Sequence, residues 1–254
     1  MQFFSSLDQI VESARNNFHF LMKFGDKKHL KQMQKGKIYM KRLKYYNDLE
    51  EKTGKTDRFD GKWKLEGAEL LVYNGLMKTP FLIGKSNDVT VSFGYENNPV
   101  LCLFCFDKRN MFNYTNENDY IKFICGFTDK QKQELDNDFG ESVLVILDTD
   151  EFIKRISSVF TRNGIIYRYG LISYNTGNSE DRIKSIFQNS SNIVFNKDLI
   201  FNYQQEFRIL ITNRAVEDHF ELDGMDLSDI SKIYPTKEFL QNQFEYHQHY
   251  SIKE

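Results

Sequence analysis

The run FNYQQEFRILIT at residues 201–212 constrains the fold more than any other stretch of the chain. From Phe207 onward it is dominated by aromatic and branched apolar residues, holds no Gly or Pro, and reads as a strand. Alternation sends Phe207, Ile209 and Ile211 to one face and Glu206, Arg208 and Leu210 to the other. A carboxylate and a guanidinium therefore enter a strand whose other residues belong in a core. Buried charge is costly unless it is paired or hydrogen-bonded. Two readings follow: an internal Glu206–Arg208 ion pair at the strand start, or a catalytic Glu206 fixed by a rigid strand at the floor of a cleft.

With 254 residues and neither an internal repeat nor a linker, a single domain over 1–254 is the simplest organisation. Its 23 Phe and 14 Tyr predict an aromatic core with some Tyr left to line a pocket or contact bases. No apolar run approaches the roughly 18 residues of a membrane span, so no membrane partner is expected. The first residues lack the basic-then-apolar pattern of a signal peptide. The 3 Cys cannot all pair with one another, which fits a reducing cytoplasm. The net charge of −2 hides an asymmetry: residues 22–64 hold 14 Lys and Arg against 6 Asp and Glu. That basic stretch is either a solvated face or an attraction for phosphates, of a nucleotide or of a nucleic-acid strand.

Apolar spacing predicts an N-terminal helix within 1–20. A short strand at 21–24 follows, then a helix capped by Asp26 and stopped at Gly36, then a strand at 37–42. Residues 45–63 read as a long polar loop with at most one helical turn. Strands are predicted at 68–73, 81–83, 89–93, 100–106, 142–147, 165–174, 207–211 and 230–234. Helices are predicted at 129–138, from Asp148 to about 160, at 181–188, and over an aromatic C-terminal stretch, 237–254. Strands outnumber long helices without a regular strand–helix–strand beat. The fold class is α+β, with a mixed, mostly antiparallel sheet core and short helices.

Several motifs carry less than their spacing suggests. Cys102 and Cys105 are three apart on a strand, so their sulfurs point to opposite faces and cannot share a metal. Gly84-Lys85-Ser86 lacks the preceding Gly of a phosphate-binding loop, since Thr79 stands there. Asp148, Asp150 and Glu151 are explained by helix capping, although a hard metal ion at Asp148 and Asp150 would make the chain a nuclease. His247 and His249 with Glu245 would form an incidental metal site only, and no metal centre is assigned.

Two stretches together resemble ADP-ribosyltransferase-like folds. Residues 21–39 resemble their opening, where a strand with a cofactor-contacting polar residue leads to a short helix, a Gly and a second strand. Tyr203-Gln204-Gln205-Glu206 resembles their closing catalytic-Glu strand. A closer resemblance is to an uncharacterised bacterial family associated with abortive infection and phage defence. It rests on Met22-Lys23-Phe24, Asn47-Asp48, Arg58-Phe59-Asp60-Gly61, Cys105-Phe106, Met111-Phe112, Lys197 and the stretch 203–208, in that order across roughly residues 21–240. Lys23 stands where many ADP-ribosyltransferases carry His or Arg.

The resemblance implies a toxin or defence effector that consumes NAD. Glu206 would be catalytic, stabilising the positive charge that develops on the ribose. Lys23 would contact ribose or phosphate beside Phe24, and Tyr39, Tyr45 or Tyr46 would stack on nicotinamide. Arg208 would orient Glu206 or meet a phosphate. The acceptor would be a nucleic acid or a protein, and an antitoxin or regulatory protein is an expected partner. The rival reading is a non-catalytic sensor or interaction module in which Glu206 and Arg208 are a structural pair.

Overall fold

The computed structural model describes residues 3–4, 7–17, 19–53, 60–72, 81–117, 119–176, 179–249 and 251–252. The chain opens with β1 (Phe3–Phe4), α1 (Leu7–Asn17), β2 (His19–Gly25), α2 (Lys27–Gln34), β3 (Ile38–Arg42) and α3 (Leu43–Thr53). A hairpin of β4 (Lys62–Val72) and β5 (Phe81–Ser92) leads to β6 (Pro99–Asp107), β7 (Met111–Asn116), β8 (Tyr120–Cys125) and α4 (Asp129–Asp138). Next come β9 (Ser142–Ile146), α5 (Thr149–Arg162), β10 (Tyr167–Leu171), β11 (Ser173–Asn175), α6 (Glu180–Gln188) and β12 (Asn196–Asp198). The chain closes with β13 (Glu206–Ile211), β14 (His219–Leu222), β15 (Ser231–Pro235), α7 (Thr236–Gln241), β16 (Phe244–His249) and β17 (Ser251–Ile252).

The protein is α+β with a mostly antiparallel sheet. Its main sheet runs β10-β13-β6-β2-β9-β15, and every pair on that path is antiparallel. Pleating splits the central strands between two cores. On one face Leu21, Leu103, Leu144, Ile146, Ile209 and Ile211 pack against Leu30 and Met33 of α2 and Phe152, Ile156 and Phe160 of α5. On the other, Met22, Phe24, Phe104, Phe106, Val143 and Val145 pack against α1, α4, α7 and strand β8. Each fully buried Leu, Ile or Phe contributes about 1.5–3 kcal/mol. That alternation pins the register, because a one-residue slip of a strand would exchange its two sets between unlike cores, and on β13 would turn Glu206 and Arg208 into the aliphatic one.

One change of partner shapes the site. Strand β6 pairs with β2 from His19↔Asp107 to Met22↔Phe104, and with β3 at Lys41↔Val100 and Arg42↔Pro99. Strands β2 and β3 therefore diverge along Leu101–Leu103, and helix α2 bridges the gap between them. Asp26 caps α2 through the N–H groups of Lys28 and His29. Gly36 turns the chain at φ +98°, where a Cβ would sit 2.8 Å from the Met225 backbone.

Several expectations need correction. Residues 45–63 are not a long loop: α3 fills 43–53 and β4 begins at Lys62. Leu43, Tyr46 and Asn47 form its inward face, with Asn47 Nδ2 donating to the Asp60 carbonyl at 3.2 Å. The C-terminal helix is only α7; Phe244 and Tyr246 then alternate inward on β16, which pairs with β8. The N-terminal helix is shorter than 1–20, since Phe3 and Phe4 lie on β1 and His19 and Phe20 on β2. The predicted strand 165–174 breaks at Ile172 into β10 and β11, and Tyr73 of the predicted strand 68–73 lies outside the described residues. Strands β7, β8, β12, β14 and β17 stand where the sequence predicts no strand.

Candidate active site

Strand β13 carries Glu206 and Arg208 on the face opposite Phe207, as alternation requires. Arg208 lies opposite Cys102 and Glu206 opposite Phe104, so the charged pair faces the region where β2 and β3 part. Arg208 is 1% exposed. Its Nε donates to Glu206 Oε2 at 2.8 Å, and its two Nη groups donate to the two oxygens of Asp60. Nη1 also donates to the Val194 carbonyl at 2.8 Å. Lys197, equally buried, donates to Glu206 Oε1 at 2.5 Å and to Gln204 Oε1 at 2.8 Å, with Asp60 at 3.6 Å.

The site has an internal scaffold. Gln205, just before Glu206, holds φ 40° and is the single non-glycine residue with positive φ among the described residues. Its amide donates to the Cys105 carbonyl and to Asn110 Oδ1, and accepts from Gln131 Nε2. That buried amide cluster holds a left-handed residue that isolated chains disfavour, and so fixes where β13 begins. Tyr174 adds a second tether by accepting the Glu206 N–H at 2.8 Å. Asp60 is set by Gly61, whose φ of +71° lets the backbone pass against Leu43, where a Cβ would collide.

Lys23 approaches from the other side. Where the β2–β6 ladder ends, its Nζ donates to the Cys102 carbonyl at 2.8 Å, taking the place of a ladder N–H. That is its sole hydrogen-bond partner among the described residues, and no carboxylate lies within ion-pair distance. Burial pushes the Lys23 pKa down, against the pull of the Cys102 thiol and Glu206. Burial would raise the Glu206 pKa, but Arg208 and Lys197 outweigh it and hold the carboxyl well below the usual carboxylate range. Lys197 is shifted up, because Glu206 and Asp60 outweigh its burial. Burial raises the Tyr46 phenol and the Cys102 thiol, so both stay protonated at neutral pH.

Two neighbouring spaces result, with three wall residues in common. An inner cavity of about 120 Å³ is bounded by Lys23, Phe24, Tyr46, Cys102, Glu206 and Arg208. An outer groove of about 440 Å³ is bounded by Lys23, Phe24, Tyr39, Lys41, Tyr45 and Tyr46, among others. Lys23, Phe24 and Tyr46 belong to both. Between them the two spaces touch all seven sequence-derived candidates, with Glu206 and Arg208 at the inner one and Tyr39 and Tyr45 at the outer one. Tyr39 already stacks on His219, with centroids 4.6 Å apart, and Lys41 Nζ lies 5.4 Å and 4.9 Å from the Tyr39 and Tyr45 ring centroids.

Asp60, Lys197, Gln204 and the Gln205 cluster were not proposed as site residues. The signal available for Asp60 and Lys197 was their place in the matched order of motifs; Arg58 and Phe59 of that motif lie outside the described residues. Elsewhere, Asp148 accepts the Glu151 N–H at 2.9 Å as a helix cap, while the Glu151 carboxylate pairs with Arg155 and Lys154. Gly84-Lys85-Ser86 lies within strand β5, and Thr79 and Pro80 lie outside the described residues. Among the described residues no three His, Cys, Asp or Glu side chains gather to hold a metal ion, and no helix is long and apolar enough to cross a membrane. No protein-family model, curated protein or solved structure matches the chain.

Proposed function

We propose that this recess binds a nicotinamide dinucleotide and that the protein is an ADP-ribosyltransferase-like enzyme transferring ADP-ribose to a macromolecular acceptor. One observation carries the reading. Lys23, Lys197, Arg208 and Glu206 line the inner cavity, with Asp60 behind Arg208 and Lys197, and Lys23 is the one of these cations with no carboxylate at ion-pair distance among the described residues. Such a cavity suits a ligand that brings one negative charge next to a group on which positive charge develops. The groove volume also falls within the roughly 300–1,000 Å³ typical of small-molecule sites.

The chemistry follows from those groups. The bond between ribose C1′ and nicotinamide breaks, and nicotinamide leaves with the electron pair. An ionised Glu206 stabilises the oxocarbenium-like ribose and accepts the 2′-hydroxyl proton in a hydrogen bond. Two of its roughly four lone-pair sites remain after Lys197 and Arg208 are served. Lys23 meets the adjoining phosphate, and Tyr46 flanks the leaving ring. The acceptor's nucleophile closes on C1′ and releases its proton to solvent. The resemblance to a bacterial family associated with phage defence supports reading the protein as a cytoplasmic toxin or effector, restrained by an antitoxin or regulatory protein.

A second reading has its own support. Asp60, Arg208, Glu206 and Lys197 form a closed network in which each carboxylate is already paired, which also suits a non-catalytic sensor module. Nicotinamide release and label transfer from labelled NAD, in wild type and Glu206→Gln, separate the two. The enzyme reading expects release by wild type and a loss of about 100-fold or more in the variant, with dinucleotide binding retained. Binding without release by wild type gives the site to the sensor reading.

A further inference from the structure

We infer that helix α2 is a nucleic-acid track that presents a single strand to the groove as the acceptor; the chemistry of this inference rests on the transferase reading. Three lysines of residues 22–64 are locally matched. Lys37, Lys41 and Lys44 pair with Glu221, Asp218 and Asp48 at 2.9, 2.6 and 2.5 Å. Lys27, Lys28, Lys31 and Lys35 are different. All four are exposed, and none has a carboxylate partner among the described residues. Lys27, Lys31 and Lys35 recur every four residues, so they share one helix face with about 6 Å between successive positions.

These four lysines surround a shallow depression of about 520 Å³ together with Asp26, Gln32 and Glu141. Asp26 is committed to capping α2, at 2.8 Å and 3.3 Å from the Lys28 and His29 nitrogens. Asp26 and Gln32 also line the outer groove, so the basic row and the groove share a rim. A ligand fitting both must carry regularly spaced anions and send one unit sideways into the groove. Single-stranded nucleic acid does both, whereas a duplex keeps its bases stacked inside. Tyr39 and Tyr45, both exposed and both near Lys41, favour it over an acidic peptide, because aromatic faces with an adjacent cation stack bases. A nucleophilic atom of the inserted nucleotide attacks ribose C1′ of the dinucleotide. Nicotinamide departs with the bonding electrons, and the nucleotide's proton passes to solvent.

The test uses the full chain, a labelled single-stranded oligonucleotide, the matching duplex, polyglutamate as a competitor, and the triple variant Lys27→Glu/Lys28→Glu/Lys31→Glu. A parallel triple Gln variant and circular dichroism confirm that folding is kept. Wild type should prefer the single strand, and the triple Gln variant should lower the slope of log affinity against log salt by about 2. Both variants should bind at least about tenfold more weakly. Release of nicotinamide into water should be unchanged, while label transfer to the strand falls. Equal strand affinity in wild type and variants, displacement by polyglutamate at matched charge, or label on protein alone would overturn the inference. Nicotinamide release without strand binding removes the track and leaves the transferase reading standing. Strand binding that the variants lose, without any nicotinamide release, keeps the track and removes the transferase reading.

Discussion

Arg208 holds the site together at the scale of single residues. Its guanidinium is fully enclosed and bridges Asp60 and Glu206. Replacing it with an apolar residue of similar length leaves Lys197 alone to balance two buried carboxylates. Arg208→Met should therefore cost about 3–5 kcal/mol, read from urea unfolding midpoints. Glu206 gives a pH signature as well. Its carboxyl titrates below its unfolded value of about 4.3, so the folded form takes up that proton at lower pH than the unfolded chain. The associated stability is complete above the unfolded value and is lost as pH falls through the folded one. Wild type should lose stability more steeply than Glu206→Gln below about pH 4, measured as unfolding midpoint against pH.

Among the elements, the parting of β2 and β3 creates the recess, and Lys23 fills the vacancy in the ladder that it leaves. Lys23→Met keeps the length of the side chain and removes both the cation and the donor to Cys102. Burial already disfavours that charge, so stability should change by less than about 1 kcal/mol. Dinucleotide affinity should fall at least about tenfold, measured by calorimetry. Elements with a local signal were readable in the sequence: α2 between its Asp26 cap and Gly36, α5 behind Asp148, and β13 by alternation. Helix α3 was hidden because its inward face is Leu43, Tyr46 and Asn47 among polar neighbours, so the stripe is narrow. Strand β16 was hidden because Phe239 and Leu240 give a helical beginning that stops two residues before the alternation starts. The site was half legible for a related reason. Glu206 and Arg208 disclose each other two residues apart, whereas Asp60 meets Arg208 across 148 positions of chain, where no local pattern reports the contact.

For the molecule as a whole, helices on both faces of the sheet shield two of its thiols from solvent and leave the third half-buried. Cys105 and Cys125 are buried, with thiol pKa values pushed up to about 12 and about 11 by that burial, and Cys102 faces the recess with its thiol also raised. Native protein should react slowly with a thiol reagent at pH 8, all three Cys should react once unfolded, and bound dinucleotide should slow Cys102 further, each followed by mass spectrometry. The change of partner along β6 has one more consequence. A strand in the middle of a sheet is normally walled in on both sides, but at Leu101–Leu103 β6 has β13 on one side and, among the described residues, no strand on the other. For three residues an interior strand thus behaves like a sheet border. A border exposes unpaired ladder groups, and here one of them, the Cys102 carbonyl, is claimed by Lys23 Nζ at 2.8 Å, so the chain supplies its own side chain where an edge would otherwise recruit a foreign strand.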